Sequence, residues 1–447
     1  MKTIDELSPK EFLLALIHQQ VQPALGCTEI GIVSLAAAKA SSLLPGAFRS
    51  AIVYTSPYVF RNDSRVGVPR LGRCGMKTIA AAGIILKNPL KMLNCLDDLT
   101  PETIEQAKKL GEIDNPAINI EVDFNSHPVY TRVVAKDDQN NEADVVIKYN
   151  HSNIIQAKLN GKETLDPSAI RGESSSGYDF DEKVDVLTIH HVHDICKTLT
   201  MEELAFLKDG IKMNRVVQEE GYAHPDEEAI TKVWQQVLKG KDEDTCFKKD
   251  HWTTQILSDT CAAVDARMYG CPLPVMTSSS SGDHGLTVSI PQDVYAKKFN
   301  VPELTMLQAL AFAHFITWKI KSKVGHLCGM CGSALAAGCG AVGGIAFQKG
   351  WDWTKINNLL NMHLVSQGGI LCDGAKPSCS FKILASLVCG FLCLTIADGN
   401  GKICHRDGLV HNSVEETINN LGKYSKSTQS SIILNVVDLL NAMSKIK

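Results

Sequence analysis

The chain has 447 residues, 44% of them hydrophobic and 21% charged, with 33 Gly and 16 Pro. That composition excludes a largely disordered or collagen-like chain, and the length is enough for two or three domains. Forty-five basic residues against 49 acidic ones leave a formal charge of −4, which lacks the basic footprint of a dedicated nucleic-acid binder.

Asp5 and Glu6 stand where a secretion signal needs an apolar run, so a cytoplasmic location is expected. Ser8-Pro9-Lys10-Glu11 predicts a helix start, with Ser at the cap, Pro at the first position and Glu at the third. The helix FLLALIHQQ follows, and Pro23-Ala24-Leu25-Gly26 breaks it. A second helix, small and apolar, begins near Cys27. Ala51 to Tyr58 reads as a strand and Met76 to Leu86 as a helix. From Ile118 to Thr164, apolar and polar residues alternate in four runs separated by turn-rich pieces, which predicts an antiparallel meander. Ile170 to Asp181 is a polar linker. Helical periods then recur near 199–219, 226–239, 249–268, 303–324, 332–348, 352–366, 381–397 and 427–445.

The expected class is therefore α+β. A mostly helical domain comes from residues 1–49 and 186–447, and an α+β module with an antiparallel sheet, residues 50–185, is inserted into it. Two apolar stretches bear on membranes. Leu327 to Phe347 is long enough to span but is mostly Gly, Ala, Ser and Cys; Ile383 to Ala397 is too short. Both read as buried helices, so no membrane partner is expected.

Cysteine is the unusual count. There are 15, an odd number, and eight fall between Cys328 and Cys404. Without a secretion signal a disulfide framework is not expected. Free Cys is often a small buried hydrophobe, which suits Cys389 and Cys393 on an apolar run. It suits less well the cysteines flanked by glycine and polar residues.

Four constellations carry the chemistry. Pro23-Ala24-Leu25-Gly26-Cys27-Thr28-Glu29 places a thiol at a helix start, where free N–H groups and the helix dipole favour a thiolate, although a buried structural cysteine is the plainer reading. Gly325 to Gly332 contains the C-x-x-C pair Cys328 and Cys331, without a second pair at zinc-ribbon spacing. Gly368 to Cys379 is a loop between apolar helices that sets Asp373 and Lys376 beside Cys372 and Cys379. Ser278-Ser279-Ser280-Ser281-Gly282-Asp283-His284-Gly285 offers hydroxyls and N–H groups to a carboxylate; the plainer reading is a solvated loop with an exposed His284.

Together these residues resemble the pyridoxal-independent, iron–sulfur L-cysteine desulfidases, relatives of the iron–sulfur L-serine dehydratases. The resemblance rests on PALGCTE near the N-terminus, Cys331-Gly332 before an Ala/Gly-rich helix, and CDGAK-x-x-C at Cys372–Cys379, and it runs over most of the chain. Ser56-Pro57, Asn62 and Val66-Gly67-Val68-Pro69 resemble a further family segment. The chain departs from the family at Ile30, at Arg70-Leu71, at Ser333 and in Gly282-Asp283-His284-Gly285.

The resemblance implies a 4Fe–4S cluster on Cys27, Cys331 and Cys372, with one iron left open to act as a Lewis acid. It implies β-elimination on a small amino acid: sulfide, pyruvate and ammonia from L-cysteine, or dehydration of L-serine at the same site. Lys376 is the first candidate for the base and His284 the second, with Ser281, Gly282 and Asn62 holding the substrate carboxylate. A homo-oligomer is expected. Two other readings remain open. One is a non-catalytic zinc or iron protein using Cys328 and Cys331 with His190, His191 and His193. The other is a cluster-less relative that binds an amino acid without turning it over.

Overall fold

The computed structural model describes residues 3–24, 28–63, 66–149, 151–165, 180–226, 229–239 and 247–444. The first helix, Pro9–Gln20, begins on a capping box. The Ser8 hydroxyl accepts from the Glu11 N–H at 3.3 Å, and the Glu11 carboxylate accepts from the Ser8 N–H at 2.8 Å. The chain then forms the short strand Pro23–Ala24, which pairs antiparallel with Val275–Met276.

The main sheet has six strands, in the order Ile118–Val122, Phe48–Thr55, Tyr130–Asp137, Glu142–Lys148, Ile154–Leu159 and Lys162–Glu163. Every pair from Phe48–Thr55 onward is antiparallel, as the alternation predicts. The first strand of the expected meander departs from it. Ile118–Val122 runs parallel to Phe48–Thr55, which separates it from Tyr130–Asp137. A parallel return needs a long crossover, and helices Pro57–Asp63, Met76–Leu86 and Pro101–Leu110 between the two strands supply it. Helices Thr28–Leu43 and Met76–Leu86 pack on each other and against this sheet.

The C-terminal half is helical: Ala205–Ala223, Ile230–Lys239, Trp252–Met268, Gly282–Phe299, Glu303–Val324, Gly338–Gln348, Trp353–Gln367, Cys379–Asp398 and Val414–Ser444. Gly282–Phe299 is not legible as a helix in the sequence, because Pro291 sits inside it and nearly its whole circumference is buried, leaving no polar stripe. At the centre, Gly338–Gln348 is buried throughout and lies against Glu303–Val324. Its Ala/Gly composition sets that distance: a Cβ on Gly340 would stand 2.6 Å from the Ala313 carbonyl oxygen and run into Thr317 Oγ1.

Cys379–Asp398, at 20 residues and a mean hydropathy of 2.0, is longer than the apolar stretch read from the sequence. Among the described residues it is the one helix long and apolar enough to cross a membrane by length and composition. Its inner side, with Ile383, Leu387 and Leu394, joins the core; Phe381, Val388, Leu392 and Ile396 are exposed.

Gly340→Ala is expected to destabilise the protein by about 1–3 kcal/mol, because overpacking at this contact outweighs the roughly 1 kcal/mol that Ala adds to helix propensity. A lowered urea midpoint for unfolding checks this.

Candidate active site

Two loops meet at the end of the central helices. Met330 and Leu371 form an antiparallel bridge. The Cys331 N–H donates to the Ile370 carbonyl at 2.8 Å, and the Cys372 N–H donates to the Gly329 carbonyl at 2.9 Å. This pairing brings together two cysteines 41 positions apart in sequence. From Cys331 the chain passes through Gly332 into a π-helical turn, Ser333–Ala337, a geometry common at functional sites. The Ser386 hydroxyl, on Cys379–Asp398, donates to the Ala334 carbonyl of that turn at 2.7 Å.

Cations surround the two thiols. Arg61, 1% exposed, donates from Nη1 to the carbonyls of Cys328 at 3.0 Å and Cys372 at 3.3 Å. Lys382 donates to the Leu371 carbonyl at 2.7 Å and pairs with Asp373, which also pairs with Lys376. Burial by itself raises Cys372, but Arg61, the Gly374 backbone, Lys321 and Lys382 outweigh it and hold that thiol below its usual value. Cys331 is pushed up to about 11 by burial and by the neighbouring Cys372 charge. Cys379 rises to about 12 through burial, Asp283 and Cys331, so it belongs to the same cluster of groups but remains a thiol.

The opposite wall is the serine loop and the helix it opens. The strand Val275–Met276 is anchored by Asn214, whose Oδ1 accepts from the Met276 N–H at 2.8 Å. Ser279 and Ser280 take left-handed backbone angles, φ 46° and 61°, in a turn closed by reciprocal Ser278 and Ser281 hydrogen bonds. Ser281 caps Gly282–Phe299 without using its side chain, and Asp283 pairs with Arg267 at 2.6 Å. His284 is not an exposed loop residue. It lies in the first helical turn, 6% exposed, with Nε2 2.6 Å from where a Cβ on Gly332 would stand. Burial, then Lys321, keep its pKa well below the ordinary histidine value, so it is neutral at pH 7. Its Nδ1 has no hydrogen-bond partner among the described groups.

The structure thus gathers Cys331, Cys372 and His284, with Ser281 and Gly282 on the turn just before His284. Lys376 shares the Cys372 loop, but its amine is tied to Asp373 and 3.4 Å from the Gly374 carbonyl. Asn62 is buried at the end of Pro57–Asp63, next to Arg61. Cys27 lies outside the described residues; Ala24, three positions before it, pairs with Val275 at the approach to the serine loop. Sequence reasoning missed Arg61, Lys321 and Lys382. The signal for Lys321 was present, since Lys319, Lys321 and Lys323 on one apolar helix cannot all face solvent.

Cys331 and Cys372 fit two thiolate positions of an iron–sulfur cluster: paired sulfurs on adjoining loops, with cations that favour their charge. The alternative zinc set is not assembled among the described residues, where no three His, Cys, Asp or Glu side chains come within reach of one metal ion. His193 is instead packed edge-on against Phe312 and Phe347, and His190 stacks on Trp353.

A thiolate-rich centre in a mostly helical α+β chain is thus the class that the fold and site define. The sequence matches the serine dehydratase alpha chain family over residues 91–436, and the chain belongs to that family. It is similar to the UPF0597 protein of Porphyromonas gingivalis, 29% identical over 442 residues, which cover 97% of this chain and 99% of the relative. A UPF0597 protein of Clostridioides difficile is 30% identical over 436 residues, covering 96% and 99%. One of Desulfatibacillum aliphaticivorans is 32% identical over 418 residues, covering 92% and 93%. Serine dehydratase-like lyase chemistry is the function this membership supports.

Buried neutral histidines set a pH dependence of stability. His363 is lowered to about 4 and His314 to about 3, both by burial, from 6.5. Unfolding lets each take up a proton below about pH 6.5, so stability is full above that value. It is expected to fall on acidification toward pH 4 by up to about 1.4 kcal/mol per unit per histidine. Urea unfolding between pH 7.5 and 4.5 checks the slope, and His363→Asn should flatten it.

Proposed function

We propose that this chain is an iron–sulfur-dependent lyase that eliminates sulfide from L-cysteine, with dehydration of L-serine as the second reading. The observation that carries it is the joining of Cys331 and Cys372 by the Met330–Leu371 bridge. Cys331, Cys372 and, by resemblance, Cys27 would hold the 4Fe–4S cluster. When bound, the cluster supplies a Lewis-acidic iron for the leaving group.

The chain's own residues do the rest. The N-terminus of Gly282–Phe299 offers the Ser281 hydroxyl and free N–H groups to the substrate carboxylate. His284 is the better-placed base: its neutral imidazole takes the α-proton at Nε2, on the side of the segment that carries Cys331. Its burial excludes water from that transfer. Lys376 serves as base only once its amine leaves Asp373. Loss of the α-proton and of HS⁻ gives aminoacrylate, which tautomerises and hydrolyses to pyruvate and ammonia; with L-serine, hydroxide leaves instead.

The homo-oligomer is part of the same proposal. It is supported by the uncharged exposed stripe Phe381, Val388, Leu392 and Ile396, spaced to face a second copy of the same helix. Leu392→Glu should then lower the mass measured by light scattering.

Anaerobic reconstitution with iron and sulfide, followed by assay with each amino acid, tests the reaction. A brown protein that releases sulfide from L-cysteine is the expected result; pyruvate from L-serine alone selects the dehydratase, and a colourless protein forming neither product overturns the proposal. Cys331→Ala and Cys372→Ala should lose most bound iron, and Cys379→Ala should keep it. His284→Ala should keep the cluster spectrum while turnover falls roughly 10²–10⁴-fold, the usual worth of a general base. The same result from Lys376→Ala, with His284→Ala fully active, would reverse the two roles.

A further inference from the structure

Two lysines on Glu303–Val324 are equally buried, each 2% exposed, but they are not equally compensated. Lys319 donates to the Val184 and Leu187 carbonyls and has Asp185 and Glu415 each at 3.6 Å. Lys321 has only the Gly325 carbonyl at 2.7 Å and Cys328 Sγ at 3.7 Å, and no described carboxylate lies within 4.0 Å of it. An ammonium carries three donors, and a buried one without a counter-ion is costly. The arrangement is therefore incomplete without an anion.

The place for that anion is marked by a missing side chain. Lys321 Nζ stands 3.1 Å, and His284 Nε2 2.6 Å, from where a Cβ on Gly332 would be. The amine and the imidazole thus converge on the one position of the Cys331–Ser333 segment that has no side chain. We propose that Lys321 binds the α-carboxylate of the amino-acid substrate, sharing it with the helix N-terminus at Ser281–Gly282. This assignment rests on the lyase reading above and adds the residue that orients the substrate. A carboxylate held by Lys321 sets the α-carbon within reach of His284 and leaves the β-substituent free to point toward Cys331 and Cys372. A decarboxylated or amidated analogue has no such anchor, so the site selects free α-amino acids.

The test is calorimetric binding of two non-reacting probes, L-alanine and L-alaninamide, to the anaerobically reconstituted protein, with bound iron measured in every sample. The wild type should prefer L-alanine. Lys321→Met should keep its iron and weaken L-alanine by roughly ten- to a hundredfold, the size of one charge-assisted hydrogen bond, while leaving L-alaninamide unchanged. Lys321→Gln, which retains a donor for the Gly325 carbonyl, repeats the measurement if the Met variant does not fold. A variant that keeps the wild-type preference overturns the assignment, and so does one that loses iron without losing the preference, since the amine then serves the thiolates. A wild type that binds L-alanine, L-serine and L-cysteine not at all overturns the lyase reading itself. The two failures are thereby distinguished.

Discussion

Two backbone hydrogen bonds, Cys331 to Ile370 and Cys372 to Gly329, join segments that arrive from opposite sides of the central helix pair. The site depends on this junction. Each segment alone is a glycine-rich loop with no regular hydrogen-bond partners, and together they satisfy each other's backbone. The tight packing of Gly338–Gln348 on Glu303–Val324 holds one side of the junction, and Cys379–Asp398, through Ser386 and the π-turn, holds the other. Small residues at the helix contact therefore have a consequence at the cysteines: they bring the chain ends of the core helices close enough for the loops to pair.

Electrostatics then divides the cysteines into kinds. Burial raises a thiol, and Cys196, Cys261 and Cys339 show that effect unopposed. Cys372 goes the other way because Arg61, Lys321 and Lys382 are directed at it from three elements. Arg61 comes from Pro57–Asp63, next to the sheet-bearing part of the chain, so that part contributes directly to the charge balance of the helical site. The serine loop supplies the complementary wall, with a neutral histidine rather than a charged one facing the cysteines.

Much of the architecture was legible along the chain. The Ser8 capping box, the strand alternation from Tyr130 to Leu159 and the apolar helix Met76–Leu86 are local patterns, set by hydrogen-bond periodicity and side-chain burial within a few residues. Where the reading departed from the structure, the cause is not local. Phe48–Thr55 enters the sheet beside Ile118–Val122 because three helices carry the chain back parallel, and no alternation pattern records strand order. The helix Gly282–Phe299 is buried on almost every side, so the amphipathic period that announces a helix is missing from it.

For the site, the sequence by itself determined which residue types are present and in what order: cysteines flanked by glycine, a serine run before a histidine, lysines embedded in an apolar helix. It also determined membership of the serine dehydratase alpha chain family. Only the tertiary structure decided which groups meet. It paired Cys331 with Cys372, buried His284 against Gly332, tied Lys376 to Asp373, and left Lys321 without a carboxylate while giving Lys319 two. The physical reason is range. Propensity, capping and periodicity act over a few residues, whereas desolvation and ion pairing depend on groups that the fold brings in from far along the chain.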